Sequence, residues 1–252
     1  MPQSSEWYHR FFGGLYGRVL ASIGPETSLR QARLVKKLLR LRKGQRVLDC
    51  PCGQGRLTMP LAEMGLAMTG LDITAPFLRQ GRREAARRGL KVTFIRQDMR
   101  RIDFDGEFDA VVNWFTSFGY FSDPDNLDFL RRARRALRPG GQLLIEVLNK
   151  SWVMNHFQSA YDETINGVRI VSRCRWDKRA HRMHNVWKLV QGGRSETLRF
   201  TLRIFSGPEL RAILRQAGFR DIHLFAHSSK GAGRLTRHSM RFIAIASEGT
   251  RH

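Results

Sequence analysis

The sequence predicts an α/β fold in which helices cover both faces of a mostly parallel sheet. Short apolar runs alternate with amphipathic helical patterns between Val47 and Val147, which is typical of parallel strand–helix–strand units. Acidic residues also follow three successive predicted strands, at Asp49, Asp72 and Asp98. Because the carboxyl ends of parallel strands meet at one edge of the sheet, we expect these acids to lie close together.

The first predicted strand, Arg46–Asp49, runs into a loop that contains Gly53 and Gly55. Glycines let backbone N–H groups approach a ligand without a Cβ in the way. A helical pattern over residues 57–64 follows, and the start of a helix offers unpaired donors and the positive end of its dipole. A strand, a glycine turn and a helix in this order indicate a nucleotide site.

The later strands extend this prediction. The second, Ala67–Leu71, ends at Asp72, close to the spacing of about 20 residues at which an acid reaches a ribose. The third, Val92–Ile95, precedes Asp98. The remaining predicted elements are helices at 28–42, 74–88, 122–137 and 206–218, and strands at 108–113, after 139–141, at 219–225 and at 240–246. Together they give a seven-stranded sheet.

A change of pattern separates residues 161–205 from the rest. Apolar and polar residues alternate over 168–174, 183–190 and 197–205, with turn signals between them, which predicts three antiparallel strands. The predicted organisation is a leading helical segment, a core in two pieces and a small antiparallel β insert after the fifth strand. Their boundaries are 1–45 for the leading segment, 46–160 and 206–252 for the core, and 161–205 for the insert.

Composition favours one soluble α/β domain with an embellishment, since 252 residues are few for two full domains. No apolar run approaches the roughly 18 residues needed to cross a bilayer, and the start lacks an apolar signal core, so we expect a cytoplasmic protein without membrane contact. Three cysteines form no disulfide framework, and no Cys or His partner stands at zinc spacing. No metal site is predicted.

The net charge is unusual: 44 Lys and Arg residues against 22 Asp and Glu give +22. Such a charge favours polyanionic partners. The arginine clusters, however, fall on several different predicted helices. A solvated arginine-rich surface is therefore the simpler interpretation, and nucleic-acid binding is the alternative.

The motifs together resemble the class I S-adenosylmethionine-dependent methyltransferases. The resemblance rests on the loop Asp49–Gly55, on Asp72 and Asp98, and on the runs 107–113 and 137–146. It is strong over about residues 40–150 and implies a Rossmann-like fold. It also implies S-adenosylmethionine as cofactor and S-adenosylhomocysteine as product. One departure is Pro51, where the family commonly has glycine. Proline lacks a backbone N–H, so Gly53 and Gly55 must allow the close approach of the backbone to the cofactor.

The resemblance implies a role for each acid. Asp49 is expected to receive the ammonium of the donor's amino acid portion, and Asp72 both ribose hydroxyls. Asp98 is expected at the adenine amine, and Asn113 is expected to face the methyl donor. The full predicted cofactor set is Asp49, Cys52, Gly53, Gly55, Asp72, Ile73, Asp98, Met99 and Asn113.

The acceptor side is less defined. In this family the leading segment often covers the cofactor, and an insert after the fifth strand commonly covers the acceptor pocket. The alternative is that the insert forms a dimer surface. The sequence therefore does not decide between a monomer and a homodimer. Methyl transfer from a sulfonium can rely on alignment and exclusion of water, which makes a general base optional. No catalytic residue is assigned, and the candidate proton acceptors are Tyr120 and His156. Candidate pocket residues, for which plain packing is the alternative, are Tyr8, Tyr16, Phe115, Phe118, Tyr120 and Trp152.

The leading hypothesis is methyl transfer to O or N of a small molecule, and the charge favours an anionic one. Methylation of RNA or DNA is the first alternative, but Trp114 and Phe115 stand where amino-directed nucleic-acid enzymes usually have a proline-containing turn. A nicotinamide-dependent oxidoreductase is the second, but Thr58 replaces the third glycine of its motif. A catalytically silent protein that keeps the cofactor fold is the third.

Overall fold

The computed structural model of the chain describes residue 12 and residues 14–249. Its helices are α1 (Leu15–Ala21), α2 (Pro25–Leu38), α3 (Thr58–Glu63), α4 (Ala75–Arg87), α5 (Asp123–Ala136), α6 (Lys150–Asn155) and α7 (Gly207–Gln216), with a 3₁₀ turn at Met99–Arg101. Its strands are β1 (Arg46–Asp49), β2 (Ala67–Asp72), β3 (Val92–Arg96), β4 (Phe108–Asn113), β5 (Leu137–Leu148), β6 (Ala160–Ile165), β7 (Val168–Asp177), β8 (Arg182–Gln191), β9 (Arg194–Arg203), β10 (Asp221–Ser228), β11 (Gly231–Gly233) and β12 (Arg241–Ser247).

The larger sheet confirms the predicted α/β fold class. Within the described residues it has the order β11-β10-β12-β5-β4-β1-β2-β3. The strands from β5 to β3 in this order are parallel, whereas β12 runs antiparallel between β5 and β10. The sheet has one strand more than expected, because β11 lies in a segment that the sequence predicts as a loop. Three residues are too few to show an alternating pattern.

The smaller sheet forms the antiparallel insert, in the order β6-β7-β8-β9. The described part of the chain thus contains four strands here, where the sequence predicts three. The additional strand, β6, is exposed or half-buried along its whole length. A strand without a buried face has no hydrophobic alternation, which explains why its sequence gave no signal.

Apolar residues that alternate along the strands build a core on each face of the larger sheet. Val47 points toward α2 and α3, where it packs with Val35 and Leu61. Leu48 points to the other face, where Leu130 of α5 belongs to the same buried cluster. Each core-facing helix therefore needs only one apolar stripe, as the sequence predicts.

The helix that precedes β1 is displaced from its predicted bounds of 28–42. It begins at Pro25, because proline at the first helical position already has helical φ. It ends at Leu38, and Arg40 then adopts a φ of +51°. A left-handed residue there turns the chain away from the helix axis.

The insert is joined to the core through a close backbone contact at Gly119. The Arg203 N–H donates to the Gly119 carbonyl at 2.8 Å, and Lys150 N–H donates to Phe205 at 3.0 Å. The leading helix contacts the insert as well, since Leu15 and Val19 of α1 pack in one cluster with its apolar residues. The insert therefore lies against both α1 and the loop that follows β4.

Gly119→Ala should lower the free energy of unfolding by about 1–3 kcal/mol. Gly119 has a φ of +116°, and a Cβ there would lie 2.6 Å from the Arg203 carbonyl oxygen. Gly231→Ala is the matched control, because its φ is +113° and no atom lies within 4 Å of its Cβ position. Urea unfolding should show a larger loss for Gly119→Ala. Equal losses would contradict the proposed close contact.

Candidate functional site

A cleft opens at the carboxyl ends of β1, β2 and β4, with a volume of about 1150 Å³ that includes space open to solvent. The three acids predicted at strand ends all line it. The predicted site residues that line the cleft are Asp49, Cys52, Gly53, Asp72, Ile73, Asp98, Met99, Tyr16, Phe115 and Tyr120. The structure thus brings most of the predicted cofactor set to one place.

Asp49 is the most deeply buried of the three acids, with 2 % of its surface exposed. Its Oδ2 accepts a hydrogen bond of 2.6 Å from the Thr58 hydroxyl at the start of α3. Burial raises the pKa of Asp49 to about 7, against the opposing effects of Thr58 and of the nearby Arg56 guanidinium. A carboxyl group with such a pKa readily accepts a cationic partner.

Asp72 is held by the glycine loop. Its Oδ2 accepts from the Gly53 N–H at 2.8 Å, and its Oδ1 accepts from the Thr74 N–H at 2.7 Å. Gly53 has a φ of +56°, which fits the predicted need for glycine in this loop. Burial raises the pKa of Asp72, and the two backbone donors oppose this rise.

Asp98 lies at the entrance to the 3₁₀ turn and already has a strong partner. It accepts from the Arg100 N–H at 2.9 Å and from two guanidinium nitrogens of the same residue, the closer at 2.7 Å. Burial raises the pKa of Asp98, but the Arg100 contacts outweigh it and the pKa lies below its ordinary value. The carboxylate is therefore charged, and its predicted role at adenine would add to an existing ion pair.

Arg56 is a cleft residue to which the sequence analysis assigned no role. Its Nη1 donates to Gln31 Oε1 at 2.5 Å, and its guanidinium lies 5.3 Å from the centre of the Phe115 ring. Asp49 interacts with it electrostatically, but Arg56 forms no ion pair with any described residue. Its position directly after the second loop glycine was the signal that could have identified it.

Aromatic side chains, among them Tyr16, Phe115 and Tyr120, form an aromatic wall of the cleft. Tyr16 of α1 lies 5.7 Å from Trp187 of the insert, and Tyr120 lies 6.1 Å from Phe200. Burial raises the pKa of Tyr16 to about 12 and that of Tyr120 further. Both phenols are therefore neutral near pH 7 and act there as hydrogen-bond donors or neutral acceptors.

The other predicted residues lie elsewhere. Asn113 is fully buried and donates to the Cys50 carbonyl at 2.9 Å. Phe118 packs in the core against Phe205. Trp152 stacks on the exposed His156 at 4.4 Å. None of these four lines the cleft, nor does Gly55, and Tyr8 is outside the described residues.

Among the described residues, no group of three or more His, Cys, Asp or Glu side chains is arranged to hold a metal ion. None of the described helices combines the length and apolar character that a membrane crossing requires. Cys50 and Cys52 are buried, and burial raises the pKa of both thiols well above the ordinary value, which makes them poor nucleophiles.

Part of the sequence matches a known family. Residues 47–141 match the family model described as a methyltransferase domain. This part of the chain is therefore a methyltransferase domain. This confirms the family expected from the sequence and, with it, S-adenosylmethionine as the cofactor of that family.

Curated relatives match over part of their length. A putative methyltransferase, YqeM, of Bacillus subtilis is 36 % identical over 104 residues, which cover 40 % of this chain and 42 % of that protein. A demethylmenaquinone methyltransferase of Thermus thermophilus is 36 % identical over 129 residues, which cover 50 % and 56 %. The chain thus matches about half the length of these relatives.

Solved structures match over nearly the whole chain and support the fold. The CcbJ methyltransferase of Streptomyces caelestis has a TM-score of 0.79 at 19 % identity, covering 98 % of this chain and 99 % of that one. DesVI of Streptomyces venezuelae has a TM-score of 0.66 at 20 % identity, covering 99 % and 100 %. The insert and the leading helix thus lie within the matched region.

The raised pKa of Asp49 predicts how stability depends on pH. An unfolded aspartate titrates near pH 3.9, so between about pH 4 and 7 the folded chain binds a proton at Asp49 that the unfolded chain does not. The free energy of unfolding should therefore fall as the pH rises through this window. In Asp49→Asn this contribution is absent, and urea unfolding from pH 4 to 8 should show a flatter profile than in the wild type.

Asp128→Asn is the control for this measurement, since the Asp128 side chain is 51 % exposed and pairs with Arg132 on α5. Asp72 is present in both the wild type and Asp49→Asn, so its own contribution to the pH dependence cancels when the two profiles are subtracted. Parallel pH profiles for the wild type and Asp49→Asn would show that Asp49 is not protonated in this range.

Proposed function

We propose that the chain is an S-adenosylmethionine-dependent methyltransferase that transfers a methyl group to O or N of a small-molecule acceptor. The observation that carries this proposal is the convergence of Asp49, Asp72 and Asp98 on one cleft with an aromatic wall. S-adenosylmethionine supplies an activated methyl group on a sulfonium. The chain must then bind the donor, align the acceptor and keep water out.

The charges at the inner end of the cleft fit the amino acid portion of the donor. That portion carries an ammonium and a carboxylate on one carbon. Asp49 and Arg56 offer a carboxyl group and a guanidinium in the same cleft, and they interact electrostatically. We assign the ammonium to Asp49 and the carboxylate to Arg56, which otherwise has no ion-pair partner among the described residues.

Asp72 fits the ribose. Its two oxygens each accept one backbone N–H, and each keeps a lone pair that can accept from a hydroxyl. The backbone donors fix the carboxylate plane, so it is oriented before the ligand binds. Asp98 and the apolar Met99 and Ile73 line the adjacent part of the cleft, where we place the adenine.

The acceptor site lies between the aromatic wall and the donor. Phe115, Tyr16 and Tyr120 present rings to this space, and rings favour a cationic methyl donor through their negative faces. The relatives named for demethylmenaquinone and ubiquinone biosynthesis and the amino pentose methyltransferase CalS10 are named for small molecules. These names support a small acceptor, and the net charge of +22 favours an anionic one.

Asp72→Asn should weaken binding of S-adenosylhomocysteine by about 10- to 100-fold, because a hydrogen bond to a charged group contributes about 1.5–3 kcal/mol. Isothermal titration calorimetry measures the change. Asp128→Asn, on the outer surface of α5, should bind as the wild type does. Unchanged affinity in Asp72→Asn would show that Asp72 does not bind the ribose. Absence of binding by the wild type would reject the proposed function.

Transfer of labelled methyl groups in a cell extract should identify the acceptor class. We expect the label in the small-molecule fraction, in amounts that depend on the added protein. Label confined to RNA would instead support nucleic-acid methylation. The Asp72→Asn variant should lower the label in either fraction, which separates transfer by this chain from transfer by contaminating enzymes.

A further inference from the structure

The loop after β4, residues 114–117, combines an unusual backbone with a place in the cleft wall. Phe115 and Thr116 have φ values of +61° and +56°. For residues with a Cβ, a left-handed conformation is strained. Trp114, Phe115 and Ser117 line the cleft. A strained loop of this kind persists only where the surrounding structure holds it.

Contacts from distant strands hold this loop. The Thr116 N–H donates to the Glu146 carbonyl at 3.0 Å and to Glu146 Oε2 at 3.2 Å. Arg241 Nη1 donates to the Thr116 hydroxyl at 2.8 Å. The same guanidinium lies 4.9 Å from the centre of the Phe115 ring. One arginine thus contacts the side chains of both left-handed residues.

Arg241 is itself fixed by a buried carboxylate. Its Nη1 lies 3.0 Å and 3.1 Å from the two oxygens of Glu146, which is 1 % exposed. His227 Nδ1 is 3.0 Å from the same carboxylate, and the His227 ring lies 5.0 Å from Trp114. Burial raises the pKa of Glu146, but His227 and Arg241 outweigh it and keep the group ionised.

Residues at the end of the cleft where we place the donor also contact this loop. Arg56 lies against Phe115, and its partner Gln31 also accepts from Trp114 Nε1 at 3.3 Å. Two guanidinium groups, those of Arg56 and Arg241, therefore lie near the Phe115 ring. Without Arg241, the Arg56 contact would remain, but no other described residue holds Thr116 by its side chain.

We propose that Arg241 is a positioning residue, which holds Phe115 and Thr116 in the left-handed conformation so that this loop shapes the acceptor side of the cleft. This proposal rests on the proposed methyl transfer. Arg241 does not line the cleft, so it acts through the loop. Arg241 has no contact with Asp49 or Asp72, and it reaches Arg56, the third group that we assign to the donor, only electrostatically and through the shared Phe115 ring. Its loss should therefore impair transfer more than donor binding.

The test compares Arg241→Ala with a glycine rescue. In Arg241→Ala, label transfer to the small-molecule fraction of the extract should fall at least tenfold, while the affinity for S-adenosylhomocysteine stays within about twofold. Glycine adopts positive φ without strain, so the double variant Arg241→Ala with Thr116→Gly should transfer label several-fold faster than Arg241→Ala alone. In the wild-type background Thr116→Gly removes a hydrogen bond and should not increase transfer. Arg87→Ala, an exposed arginine paired with Glu84 on α4, is the matched control.

A readout that needs no activity accompanies this test. With 4-fluorophenylalanine at position 115, the ¹⁹F resonance should be a single narrow line when Arg241 is present. It should split or broaden in Arg241→Ala and narrow again when Thr116→Gly is added. An unchanged line in Arg241→Ala would overturn the positioning role whatever the activity. An equal loss of donor affinity and transfer, without rescue, would also overturn it.

The two proposals fail in different ways. If the wild type neither binds S-adenosylhomocysteine nor transfers label, the proposed function is rejected, while the ¹⁹F spectra still decide whether Arg241 holds the loop. If the wild type binds and transfers but Arg241→Ala does so equally well, only the positioning role is rejected.

Discussion

Buried carboxylates at the carboxyl edge of the sheet impose the constraint on which the rest of this structure depends. Asp49, Asp72 and Glu146 are 2 %, 6 % and 1 % exposed, and a buried charge is costly unless donors or cations surround it. Asp49 receives a hydroxyl, Asp72 two backbone N–H groups, and Glu146 a histidine and an arginine. To supply these partners, the glycine loop, the start of α3 and the strands β10 and β12 must converge on one edge, and the cleft opens there.

Much of the donor side of this edge was predictable, because its signals are local. The acid that ends each strand and the glycines that follow β1 are neighbours in sequence, so strand order alone brings Asp49 and Asp72 together. The alternation of strands and helices likewise predicted the sheet and its two covered faces. The small departures, such as β6 and β11, occur where a strand is exposed or only three residues long.

The acceptor side was much less predictable, because its contacts join distant segments. Glu146 is separated by 81 residues from His227 and by 95 from Arg241, and no local pattern marks these three as partners. The left-handed Phe115 and Thr116 are also invisible in the sequence, since neither is glycine. Trp152 and His156 were candidates on the acceptor side, but neither lines the cleft; Trp152 lies on α6, where it packs against Leu202 and Ile204.

The charge of the chain has a more specific meaning in the structure than in the composition. Many arginines form exposed ion pairs, such as Arg87 with Glu84 and Arg169 with Asp162, and such pairs contribute little to stability. Arg56 and Arg241 differ, because both lie near the Phe115 ring, which lines the cleft. Arg241 is paired with the buried Glu146, whereas Arg56 has no ion-pair partner among the described residues, and the net charge of +22 could not single out either one.

A crystal structure of the chain with S-adenosylhomocysteine tests the central claim most directly, since it shows which groups the acids and Arg56 contact. The account predicts the ammonium within hydrogen-bonding distance of Asp49, the carboxylate at Arg56 and both ribose hydroxyls at Asp72. A nucleoside bound outside this cleft, or an amino acid portion turned away from Asp49 and Arg56, would contradict it.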